Sequence, residues 1–129
     1  MDAHGYGGII EIFSEKLLDP ATVEELLKRI VTEVGGRCME AGARTIGHIK
    51  CYLRTDRGYA KADIVRLRQG AFAEVRLDGP IRGGTLVINS IVLGLPDGEV
   101  ERTTKDAIGK VLAEYCISLR EMQECHGDH

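Results

Sequence analysis

The chain has 129 residues and a net charge of −3, with 43% hydrophobic and 29% charged residues. These proportions are ordinary for a soluble globular protein, read as one domain over residues 1–129 that buries roughly two-thirds of its unfolded surface. The longest apolar run, Leu86–Leu95, is broken by Asn89, Ser90 and Gly94. It falls well short of the ~20 residues of a helical membrane span, and no membrane association is expected.

The opening segment MDAHGYGGII starts with an acid and lacks the basic stretch of a signal peptide, so a cytoplasmic location is expected. Cys38, Cys51, Cys116 and Cys125 form no CxxC pair and read as reduced thiols.

Residues 1–6 read as a loose tail. Within 7–18, Ile9, Ile10, Phe13 and Leu17 follow a helical spacing, while Ile10 and Ile12 alternate as in a strand. A short helix is the preferred reading. Asp19-Pro20 then supplies an N-cap and a first-turn proline for a long helix. Its apolar stripe runs through Val23, Leu26, Leu27, Ile30, Val31 and Val34 to about Glu40, with Gly42 as the C-terminal stop.

Four strands are expected next. In Thr45–Thr55, Ile49, Cys51 and Leu53 share one face, and His48, Lys50, Tyr52 and Arg54 share the other. A turn at Thr55–Gly58 leads into Tyr59–Arg68, whose apolar phase changes near Ile64–Arg66 as if at a β-bulge. Phe72–Leu77 alternates, with Ala73, Val75 and Leu77 inward and Glu74 and Arg76 outward. Thr85–Leu95 is apolar on both faces, so both faces are covered. In a simple meander this strand lies at an edge, where a second subunit would cover Val87, Ile91 and Leu93. Rearranged strand order is the competing explanation.

Asp97 is placed as the cap of a final helix on Val100, Ala107, Ile108, Val111, Leu112, Tyr115, Cys116, Leu119 and Met122, reaching about Glu124. Residues 125–129 form a second loose tail.

The expected architecture is therefore α+β, in two layers. A four-stranded, mostly antiparallel sheet has two long helices on one face, in the order α-β-β-β-β-α with a possible short leading helix. No GxGxxG fingerprint and no Walker motif occurs. No nucleophile–base pair is recognisable, no cofactor is indicated, and the residues resemble no known family.

Three chemical features remain. Between Arg44 and Gly70 seven bases (Arg44, Lys50, Arg54, Arg57, Lys61, Arg66, Arg68) face two acids (Asp56, Asp63), with Tyr52 and Tyr59 interleaved. Bases and rings on a sheet face are how several modules hold single-stranded nucleic acid, and Lys50, Tyr52, Arg54 and Lys61 are the ligand-binding candidates. The plainer reading is a solvated hairpin paired with the acidic helices.

His48 is the candidate acid/base group, with Asp63 or Glu74 as its carboxylate; a surface histidine is the plainer alternative. Cys125, His126 and His129 are suitable ligand types for zinc or nickel, but a terminal tail seldom makes a site alone. The functional expectation is a homo-oligomeric binding or assembly module, a homodimer or higher. Nucleic-acid or polyanion binding through Arg44–Arg68 is the first alternative and a small His48 enzyme the second.

Overall fold

The computed structural model describes residues 3–122. Ala3–Leu18 is a strand, β1, which corrects the short leading helix and, over residues 3–6, the loose start; the first two residues of that tail lie outside the described residues. Ile10 and Ile12 point into the core, while Ile9, Phe13 and Leu17 stay outside. The helical spacing was a coincidence of two apolar sets on opposite faces of one strand. Glycines at 5, 7 and 8 tip the balance, since each weakens a helix relative to alanine. At Gly8 the end of the Tyr6 ring lies where a Cβ would stand, so a side chain there would have to displace that ring.

The first helix, α1, is Pro20–Glu40, capped by Asp19, whose Oδ1 accepts from the Thr22 amide at 2.8 Å. Strand β2 follows at Thr45–Thr55, then β3 at Gly58–Ile64 and β4 at Phe72–Leu77. The apolar phase change marks the end of β3, not a bulge: beyond Ile64 the chain enters a 3₁₀ turn at Leu67–Gln69. The bulge lies in β2, between Ile46 and His48. Gly47 sits there against the Ile91 carbonyl, which a Cβ would approach to 2.9 Å. The extra residue turns both Ile46 and Ile49 inward.

Strand β5 spans Ile81–Leu93, helix α2 Asp97–Glu114, and strand β6 Ile117–Glu121. The last helix therefore does not reach Glu124. It stops at Tyr115; Cys116 takes φ +57, and the chain reverses to pair with β1. The Tyr115, Cys116, Leu119 and Met122 spacing is helical, but strand pairing there satisfies the backbone edge of β1. Pro96, not Asp97, is the N-cap residue of α2. Asp97 instead ties α2 to β1, accepting from the Gly5 amide at 3.0 Å and pairing with His4 Nδ1 at 3.0 Å.

The four-stranded sheet in the order α-β-β-β-β-α is thus overturned. The order is β-α-β-β-β-β-α-β, and the sheet has six strands arranged β4-β3-β2-β5-β1-β6, every neighbouring pair antiparallel. Because β5 lies between β1 and β2, and β1 lies between β5 and β6, each helix joins two parallel strands with an antiparallel strand slotted between them. Both helices pack on one face and on each other. One cluster of buried side chains fills the space beneath them, built on Leu26, Leu27, Ile30, Ile49, Leu53, Leu86, Ile88, Ile108 and Leu112.

Strand β5 is an interior strand and not the edge of a meander. Yet with both helices on one side, its second apolar face lies on the open side of the sheet, where Ile91 is exposed, which corrects the expectation that both faces are covered. No helix among the described residues is long and apolar enough to cross a membrane.

Candidate functional site

With both helices on one side, the other face of the sheet stands open, and strand alternation decides what it displays. His48, Lys50, Tyr52 and Arg54 of β2 lie beside Tyr59, Lys61 and Asp63 of β3 and Phe72, Glu74 and Arg76 of β4. The registers make cross-strand rows: Lys50–Asp63–Phe72, Tyr52–Lys61–Glu74 and Arg54–Tyr59–Arg76. On the other flank of β2, Lys50 faces Asn89 and Tyr52 faces Val87. His48, Lys50, Tyr52, Lys61, Asp63, Phe72, Glu74, Val87 and Asn89 line a hollow of about 500 Å³.

Four residues singled out from the sequence, Lys50, Tyr52, Arg54 and Lys61, therefore come together on one surface. The rest of the basic run does not. Arg57 is in the β2–β3 turn and pairs with Asp78 at 3.4 Å, Arg44 precedes β2, and Arg66 and Arg68 lie at the 3₁₀ turn. Arg76 and Phe72 join the surface from outside that run. Only the alternation of Phe72, Glu74 and Arg76 in β4 signalled them.

The charges are partly matched. Glu74 is a hub: its carboxylate accepts from Arg76 Nε at 3.0 Å and Tyr59 Oη at 3.0 Å, and Lys61 Nζ lies 3.5 Å away. These donors, Arg76 first, hold its carboxyl below the usual carboxylate range and raise the Arg76 guanidinium in turn. Lys50 and Arg54 make no ion pair with a described residue. Between them stands Tyr52, stacked on Tyr59 with ring centroids 5.4 Å apart and planes 14° from parallel. Tyr52 keeps 39% of its surface exposed.

His48 Nε2 lies 3.4 Å from Asp63 Oδ2 at the rim of the hollow. No serine or threonine lines the hollow, and its one cysteine turns away: Cys51 Sγ points at the Leu27 carbonyl, and burial pushes its thiol up to about 12. The histidine is thus placed beside a carboxylate without an activated nucleophile next to it.

The β5 residues lie on the other half of this open face. Val87 and Leu93 are half-buried, Ile91 is 45% exposed, and Ile9 and Phe13 of β1 extend the apolar area at 38% and 50%. Asn89 and Ser90 separate: Asn89 faces the hollow, whereas buried Ser90 accepts from Thr104 Oγ1 at 3.0 Å beneath α2. Cys125, His126 and His129 lie outside the described residues. Among those that are described, no cluster of three or more His, Cys, Asp or Glu side chains is placed to hold a metal. Comparison with known protein families, curated proteins and solved structures finds no match to this chain.

Proposed function

We propose that this chain is a non-catalytic binding module whose open sheet face holds a stretch of single-stranded nucleic acid or a similar polyanion. The observation that supports it is the display of Lys50, Tyr52 and Arg54 on one strand face, with neither cation in an ion pair with a described residue and the ring between them stacked and exposed. Alternate residues on a strand recur about every 6.6 Å, so β2 offers cation, ring, cation along a line. An extended chain of charged, stackable units is the ligand chemistry that such a line suits. Three free thiols, Cys38, Cys51 and Cys116, suit the reducing cytoplasm in which we expect it to act.

Fluorescence anisotropy with a labelled oligonucleotide across a salt series tests this reading. Affinity should fall as salt rises. Replacing Lys50, Arg54 and Lys61 together by alanine should flatten the slope by about 0.7 for each phosphate that no longer meets a cation. Salt-independent binding, or unchanged binding by the triple variant, rejects it.

A second reading, self-association through the apolar half, is favoured by the exposure of Ile9, Phe13 and Ile91. Alanine at Val87, Ile91 and Leu93 should then lower the mass seen by light scattering. An unchanged mass rejects that interface.

A further inference from the structure

We infer that the free edge of β4 is a docking strand for the β4 of a second copy, joined antiparallel about a two-fold axis at Val75. This goes beyond binding on the open face and does not depend on it.

The edge is open for pairing. β4 ends the sheet, and no described element lies beyond it. The Asp78 amide donates to the Arg57 carbonyl at 3.1 Å, next to the Gly58–Leu77 pair. Antiparallel strands alternate in which residues face their neighbour, so Arg76, Glu74 and Phe72 direct their backbone groups at β3. Ala73, Val75 and Leu77 therefore direct theirs outward, as a row of unmatched donors and acceptors. Edges of this kind are commonly blunted by proline, by a bulge or by repelling charge. β4 has no proline and no bulge.

Among the registers centred on Glu74, Val75 or Arg76, which keep most of β4 paired, its charges also select one. To extend the sheet with both faces preserved, the two-fold axis must pass through a residue, not between two. Centring on Glu74 sets two glutamates directly opposite. Centring on Arg76 sets two arginines opposite. Centring on Val75 places Glu74 against the partner's Arg76 on both sides of the axis, Ala73 against the partner's Leu77, and Val75 against the partner's Val75. Opposite charges across a strand pair stabilise it and like charges destabilise it. That register also turns the outward backbone groups into about six hydrogen bonds. The other edge, β6, lacks this self-complementarity: its open-face residues are Ser118 and Arg120, with no acid among them.

The test is the solution mass of the full chain and of two charge variants, read by light scattering at micromolar concentration, with circular dichroism confirming the fold. Wild type should give twice the chain mass of 14.1 kDa. Glu74→Arg alone and Arg76→Glu alone should each halve it, because each opposes like charges across the axis. An equimolar mixture of the two variants should restore the dimer. The arginine introduced at position 74 in one chain then faces the glutamate introduced at position 76 in the other, and the native Arg76 and Glu74 face each other on the second side. No effect confined to one chain can be repaired by mixing. A monomeric wild type, dimeric single variants, a mixture that stays monomeric, or open-ended assemblies would each overturn the inference.

Discussion

Along β2, Ile49, Cys51 and Leu53 are buried beneath the helices while His48, Lys50, Tyr52 and Arg54 stand on the open face. One strand thus serves two masters. On the covered face each position is held by close packing, and even polar groups there are paired, as Ser90 is with Thr104. On the open face the contacts are ion pairs among exposed groups, such as the Glu74 hub, and the Tyr52–Tyr59 stack, while Lys50 and Arg54 make no ion pair with a described residue. The difference teaches that stability and recognition draw on alternate residues of the same strands, so substitutions one position apart should separate them.

The largest contrast is expected between two isoleucines on opposite faces of β5. Ile88→Ala, at a fully buried site, should cost about 2–5 kcal/mol, whereas Ile91→Ala on the open face should cost under about 1 kcal/mol. Urea denaturation of the two variants measures it, and equal losses would break the comparison. Thr104→Val should cost about 1–3 kcal/mol by leaving the Ser90 hydroxyl buried without its partner. Adding Ser90→Ala should recover most of that loss; no recovery would mean that the pair matters through shape alone.

The smallest effect sits at Glu74. Its carboxyl titrates lower in the folded chain than in the unfolded one, so it contributes stability above the unfolded carboxylate pKa. That contribution is lost as pH falls through the folded value. The difference in stability between wild type and Glu74→Gln should therefore be present at neutral pH and vanish in acid. A difference that grows on acidification would contradict the hydrogen-bonded hub.

The alternation that sorts β2 into two faces is legible residue by residue, and so is the meeting of Lys50, Tyr52 and Arg54 on one of them. Lys61 joins them through the short Thr55–Gly58 turn, which pairs Tyr52 with Lys61 locally. The N-cap and apolar stripe of α1 are equally readable, because capping and helical period are short-range. The segments at the two chain ends were not. Ile9, Ile10, Phe13 and Leu17 satisfy two periods at once, and Tyr115 to Met122 keep a helical phase although the chain there forms β6. The phase change after Ile64 was visible, but a strand end and a bulge leave the same trace over so few residues.

By itself the sequence determined which stretches alternate, where α1 begins, and which side chains share a strand face, since these follow from backbone geometry over a few residues. Tertiary structure decided that β1 is a strand, that β5 runs between β2 and β1, and that β6 and β4 are the two edge strands of the sheet. Those outcomes depend on hydrogen bonds between segments as distant as Ala3 and Leu93. A backbone group accepts any strand as its partner, so no local pattern names which one it will receive.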